Sequence, residues 1–232
     1  MSTQTLAGRK VAVLATDGFE QSELEKPVEA LKAAGATVEV VSPKAGQIQG
    51  WEHQEKGRAV TVDRELASAD AATYDALVLP GGVMNPDALR LEPKAIAFIR
   101  HFVTQKKPIA AICHGPWTLI NAGGVEGKHM TSWPSLELDL RNAGAHWTDR
   151  EVVVDQGLVT SRKPDDLPAF CAKMTRNSPK GDTKALPASG SRWRAAATGV
   201  ACVSLRRPIR DRGNACHRRP SRSPTSPFPT RC

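Results

Sequence analysis

The sequence predicts an α/β protein with a doubly wound, mostly parallel sheet. Three observations carry that prediction. Short, almost continuous apolar runs at 10–15, 36–42, 75–79 and 108–112 have the composition of strands covered on both faces. Stretches with apolar residues at helical spacing separate them. At Thr175 the alternation stops and the composition changes.

In chain order, Lys10 to Ala15 is the first strand, and Thr16-Asp17-Gly18-Phe19-Glu20 a turn. A helix follows from Ser22 to Ala34, with Leu24, Val28 and Leu31 on one face and Gly35 as its stop. Pro27 lies deep enough in it to predict an irregular first turn. Ala36 to Ser42 is the second strand, which makes the unit a right-handed parallel crossover. Gln47 to Val62 alternates weakly and contains Gly50 and Gly57, the pattern of a β-hairpin excursion. Asp75 to Leu79 is a third parallel strand, ended by Pro80-Gly81-Gly82, and Val83 to Leu91 reads as loop. Pro93 to Gln105 is a helix with Ile96, Ile99, Phe102 and Val103 on one face. Pro108 to Ile112 is the central strand, followed by a helical run from Trp117 to Ala122 that Gly123-Gly124 stops. His129 to Trp133 is a short strand, Pro134 to Ala143 a helix, and Val152 to Ser161 a hairpin with Gly157 at its turn. A last helix begins at Pro164 and runs to Met174.

Residues 1–174 therefore read as one α/β domain and 175–232 as an appendage. The net charge of +8 belongs to the appendage. Its 58 residues hold 13 of the 32 Lys and Arg but 2 of the 24 Asp and Glu, which leaves the first 174 residues with 19 basic and 22 acidic side chains. Seven of the 58 are proline and no hydrophobic period runs through them, so the segment is expected to be disordered. It reads as an idle tail or the out-of-frame end of a coding sequence. The other reading is a basic arm for nucleic acid, but the aromatics that would stack bases are sparse. No apolar run has membrane-spanning length, and Met1 to Arg9 is polar and short, which predicts a cytoplasmic protein. The five cysteines, at 113, 171, 202, 216 and 232, have no paired metal spacing, so free thiols and no metal are expected.

The chemistry centres on Ala111-Ile112-Cys113-His114-Gly115-Pro116. A cysteine on a tight strand-to-helix turn is held out at the carboxyl end of the sheet, where ligands bind in doubly wound folds. The helix N-terminus beside it favours thiolate over thiol. An isolated intracellular cysteine is more often a small buried hydrophobe, but the strand, the Gly-Pro and the histidine favour a nucleophile. Gly81-Gly82 frees backbone N–H groups at a strand end, although alone it is equally a plain turn. It lacks a phosphate-binding fingerprint. Gly81, Gly82 and Gly115 form the substrate-side backbone, and the N–H groups of Gly82 and His114 are the candidate oxyanion hole. Side chains of sequence neighbours diverge, so His114 is expected not to contact the sulfur.

Taken together, Asp17-Gly18-Phe19-Glu20 with Glu23 and Pro27, Leu77-Val78-Leu79-Pro80-Gly81-Gly82, Ala111 to Pro116, Thr131-Ser132-Trp133-Pro134 and Glu151 to Asp155 resemble the ThiJ/PfpI superfamily, in its intracellular peptidase and deglycase branch. The resemblance covers Lys10 to Met174. It implies a flavodoxin-like sandwich related to class I glutamine amidotransferases, a Cys113 nucleophile, a neighbouring His114, and a Glu20 carboxyl that hydrogen-bonds the sulfur. It also implies self-association as a dimer or hexamer, with Asp87 reaching His114 of a second copy. Without the resemblance, Glu20 is a solvated turn residue.

Four functions follow from these residues. In the favoured one, Cys113 adds to a reactive carbonyl such as methylglyoxal or its early adduct on protein or nucleotide, Glu20 moves a proton between two carbons, and water releases a hydroxy acid, with no cofactor. A cysteine peptidase is the second, disfavoured because adjacent His114 is a poor base. A stress protein that senses oxidants or holds unfolded chains through Cys113 is the third. Glutaminase activity is the fourth, weakened because no His-x-Glu pair follows the elbow.

Overall fold

The structure, a computed structural model, describes residues 5–177. In chain order the elements are β1 (Lys10–Leu14), β2 (Phe19–Glu20), α1 (Gln21–Ala33), β3 (Thr37–Ser42), β4 (Gln47–Glu52), β5 (Glu55–Thr61), β6 (Arg64–Glu65), β7 (Ala76–Leu79) and α2 (Met84–Arg90). They continue with α3 (Pro93–Thr104), β8 (Ile109–Ile112), α4 (Pro116–Ala122), β9 (His129–Met130), α5 (Glu137–Asn142), β10 (His146–Trp147), β11 (Val152–Asp155), β12 (Leu158–Ser161) and α6 (Leu167–Asn177). The main sheet has the order β11-β12-β8-β7-β1-β3-β6, with every pairing parallel except β11 against β12.

The apolar strands alternate their side chains between two buried faces, as a parallel sheet covered on both sides requires. Ala12, Leu14, Leu77, Leu79, Ile109 and Ala111 face α3 and α4, packing on Phe98, Ile99, Phe102 and Leu119. Val11, Val13, Val78, Ala110 and Ile112 face the other way, onto Leu24 and Leu31 of α1 and Phe170 and Met174 of α6. Each fully buried side chain of this size contributes about 1.5–3 kcal/mol. From β1 the chain winds outward to β3 and β6, then crosses back to β7 on the other side of β1. The winding reverses between β1 and β7, and a crevice opens there at the strands' carboxyl ends.

The flavodoxin-like architecture is as predicted, including the hairpin excursion formed by β4 and β5. Four local expectations change. The Thr16–Glu20 turn contains β2, whose Phe19 and Glu20 pair in parallel with Gly50 and Trp51 of β4. The α1 helix runs unbroken through Pro27, which forfeits one backbone donor inside an otherwise packed helix. The expected loop from Val83 to Leu91 holds α2, where Pro86 occupies the first turn and its missing N–H has no helical partner to lose. The last helix continues through Asn177, so 175–177 belong to α6 rather than to the tail. The disorder expected of the basic tail falls on residues 178–232, outside the described residues. Among the described residues, no helix is long and apolar enough to cross a membrane.

Candidate active site

Cys113 follows β8 with φ +59°, in the left-handed region that a side chain other than glycine enters only under constraint. The constraint is visible. Its N–H donates to the Ser161 carbonyl of β12 at 3.0 Å, and its carbonyl accepts the Trp133 N–H at 2.9 Å. Two glycines make room for the turn. A Cβ on Gly115 would collide with the Leu79 carbonyl oxygen, and one on Gly81 would lie 2.5 Å from Glu23 Oε2 and 2.6 Å from Cys113 Cβ. Cys113 is 6% exposed. The backbone N–H groups of Gly82 and His114 are near its sulfur and favour its thiolate form.

The carboxyl beside the sulfur is Glu23, not Glu20. Glu23 is on the buried stripe of α1 with Pro27 and Leu31, four and eight residues on, and it is 0% exposed. Gly81 N–H donates to its Oε2 at 2.9 Å. Oε1 has no partner of ordinary hydrogen-bond geometry among the described residues. The Cys113 thiol faces the carboxyl and interacts with it, a looser contact than the one from Gly81. Glu20 precedes the helix, so its side chain leaves toward the pocket mouth. There its Oε2 accepts the His53 N–H at 3.1 Å and its Oε1 the Ser22 hydroxyl at 3.4 Å.

Burial first, and then the charge of Glu20, pushes the Glu23 carboxyl up to about 8, so it keeps its proton at neutral pH. Burial also pushes the Cys113 thiol up, as does any charge on Glu23, while the two backbone N–H groups pull it back. The pair accommodates one negative charge rather than two. A protonated Glu23 removes the repulsion and can donate to the sulfur, which is the state in which Cys113 is most easily a thiolate.

The expectation that His114 turns away from the sulfur is overturned: Cys113 Sγ and His114 Nδ1 are 3.2 Å apart. The divergence argument assumes ordinary backbone, and the left-handed Cys113 swings the next side chain back. The His114 ring stacks on Trp133 at 5.8 Å, and its Nε2 is 3.5 Å from Ser135 Oγ. Burial holds the ring's pKa below its ordinary value, so it is neutral at pH 7. Asp87 is exposed on α2 and does not meet His114 within the chain.

Two loops frame the site, after β1 and after β7, and the buried Asn85 ties them together. Its Oδ1 accepts the Thr16 N–H at 2.8 Å, and its Nδ2 donates to the Pro80 and Gly81 carbonyls at 3.0 and 3.1 Å. The site opens into a cavity of about 180 Å³. Cys113, Glu23 and His114 are at its base, with Glu20, His53, Gly82, Val83, Trp133 and Pro164 around the wall. Sequence reasoning missed Glu23 as the sulfur's partner, although its four-residue spacing to Pro27 and Leu31 marks the buried face. It also missed His53, Asn85 and Trp133 as site residues. Nothing local signals His53, which reaches the pocket only because β4 pairs with β2. Among the described residues, no group of three His, Cys, Asp or Glu side chains could hold a metal ion.

The DJ-1/PfpI family model matches residues 9–177. The chain is 46% identical over 165 residues to protein/nucleic acid deglycase 2 of Escherichia coli K12, covering 70% of this chain and 93% of that one. It is 45% identical over 162 residues to YraA of Bacillus subtilis 168, named as a candidate cysteine protease, covering 70% and 94%. Among solved structures, a two-domain protein of Anabaena variabilis with DJ-1/ThiJ/PfpI-like and ferritin-like domains superposes with a TM-score of 0.69 at 34% identity, covering 76% of this chain and 52% of that one, about half its length. With this sheet order, this strained cysteine and a match across the whole described domain, the chain belongs to the DJ-1/PfpI family.

Proposed function

We propose that the protein is a cysteine-dependent enzyme that converts reactive α-oxoaldehydes, free or as early adducts, to hydroxy acids. The observation that carries this reading is the fully buried Glu23 carboxyl, protonated near neutral pH, beside the Cys113 sulfur. Cys113 passes its thiol proton to His114 Nδ1, 3.2 Å away, and adds to the aldehyde carbon of methylglyoxal, and the resulting alkoxide takes a proton from Glu23 to give a hemithioacetal; His114 returns its proton when the thiol is released. Glu23, having given up its proton, removes the hydrogen on that carbon as a proton and returns it to the neighbouring carbon by way of an enediol. The product is a lactoyl thioester on Cys113. Water hydrolyses it, so that methylglyoxal and one water become lactate and the thiol is restored. An aminocarbinol or hemithioacetal adduct enters the same route when Cys113 displaces its amine or thiol. The Gly82 and His114 N–H groups are the donors for the developing oxyanions. In this proposal Gly81, Gly82 and Gly115 form the substrate-side backbone, and Asp87 contacts His114 of a second copy. Sedimentation of the wild type against Asp87→Asn tests the latter.

One observation favours a second reading. The 3.2 Å contact between sulfur and His114 gives a cysteine peptidase the base that sequence reasoning denied it. Among the described residues, no acidic side chain orients that histidine, and a cavity of about 180 Å³ suits a small carbonyl better than a peptide. The relatives' names divide between the two activities. The deciding experiment follows lactate formed from methylglyoxal and cleavage of a casein peptide side by side, with Cys113→Ser and Glu23→Gln. Lactate formation lost in both variants supports the carbonyl enzyme. Peptide cleavage that needs Cys113 but survives Glu23→Gln supports the peptidase.

A further inference from the structure

Correcting the sulfur's partner from Glu20 to Glu23 leaves Glu20 without a part in the chemistry, and its surroundings suggest one. Glu20 is on the wall of the same cavity as Cys113. Its Oε2 is held by the His53 N–H at 3.1 Å, whereas among the described residues its Oε1 has only a 3.4 Å contact with the Ser22 hydroxyl, which leaves it open to a ligand. Among the described residues, no lysine or arginine lines the cavity. The two cations that precede the lining residue Pro164 in the chain are both paired: Lys163 with Asp165 at 2.9 Å and Arg162 with Asp166 at 2.9 Å. Trp133, on the same wall, is 38% exposed although His114 stacks on one of its faces, and the aromatic surface left open is of the kind that attracts cations. The charge on Glu20 is also felt at the base of the cavity, where it helps keep Glu23 protonated.

We propose that this pocket selects substrates by charge: it takes carbonyl compounds whose far end is uncharged or cationic, an ammonium- or guanidinium-bearing adduct above all, and rejects anionic ones, with Glu20 as the selecting residue. The proposal rests on Cys113 acting on carbonyls, but the charge preference itself is independent of turnover. An anion entering the cavity meets the Glu20 carboxylate with no lysine or arginine of the described residues on the wall to compensate, in a partly desolvated space where like charges repel far more strongly than in water. A cation meets the carboxylate and an indole ring.

Two assays separate the charge preference from the reaction. The first alkylates Cys113 with iodoacetamide and with iodoacetate, reagents of nearly equal size, and follows the Cys113 peptide by mass. Each rate ratio is divided by that of the same pair on glutathione. The expected normalised preference for iodoacetamide is roughly tenfold in the wild type. It should fall to about twofold in Glu20→Gln, and should narrow in the wild type at about 1 M salt. The second compares kcat/KM for the methylglyoxal hemithioacetals of cysteamine and of 3-mercaptopropionate, with the cationic adduct preferred and the preference collapsing in Glu20→Gln. A normalised alkylation ratio near one in the wild type overturns the proposal. So does a preference that neither Glu20→Gln nor salt reduces. If Glu20→Gln does not fold, the salt dependence of the wild type decides. A charge preference in alkylation without turnover of either adduct leaves charge selection standing and removes the carbonyl reaction.

Discussion

Glu23→Gln should make the protein more stable at alkaline pH while removing its activity. The substitution keeps size and shape, and the amide oxygen can still accept the Gly81 N–H that Oε2 accepts at 2.9 Å. In the folded state burial raises the carboxyl from 4.5 to about 8. Between those values the native protein holds a proton that the unfolded chain has released. The stability this one group contributes is therefore fully present below about pH 4.5 and is lost as pH rises through about 8. The slope is about 1.4 kcal/mol per pH unit, so the loss between pH 5 and pH 8 is on the order of 4 kcal/mol. Glutamine has no proton to lose and does not share it. Urea unfolding of both proteins from pH 5 to pH 9, in reductant, gives the difference in stability directly. That difference should climb across the window in favour of Glu23→Gln and level off above about pH 8. A difference that is flat with pH refutes the buried, protonated carboxyl and with it the proton shuttle. In parallel, turnover should fall by about 10²–10⁴-fold, the usual range for removing a general acid–base group.

Two further substitutions test the frame around the sulfur. Gly81→Ala puts a Cβ against both Glu23 Oε2 and Cys113 Cβ, and should cost about 1–3 kcal/mol in thermal or urea unfolding together with most of the turnover. Asn85→Ala leaves the Thr16 N–H and the Pro80 and Gly81 carbonyls of two facing loops without their partner. It should cost about 2–4 kcal/mol, and lower kcat more than it raises KM, because the Gly81–Gly82 loop that donates to Glu23 and Cys113 loosens.

Much of this protein is readable from local pattern. Val11, Ala12, Val13 and Leu14 are apolar on both faces of a strand, which only a doubly covered sheet explains. Cys113 between an apolar strand and Gly115-Pro116 marks the elbow, because that turn has few sequence solutions. In two places where local reading failed, the cause was local too. Pro86 looked like a loop residue, but a proline in the first turn of α2 forfeits no helical hydrogen bond. His114 was expected to diverge from the sulfur, but that rule presumes a backbone that Cys113, at φ +59°, does not adopt.

The sequence alone determined the fold class, the strand ends where the cavity opens, and the cysteine on its strand-to-helix elbow, since each depends on periodicity or on a turn that a few adjacent residues specify. Only the tertiary structure decided which carboxyl meets the sulfur. Glu20 and Glu23 are three residues apart and chemically alike, and the difference between them arises where α1 packs. Rotation of that helix against the sheet buries Glu23 beside Cys113, and the pairing of β2 with β4 turns Glu20 outward beneath His53. Burial then separates their chemistry, because a carboxyl cut off from water keeps its proton.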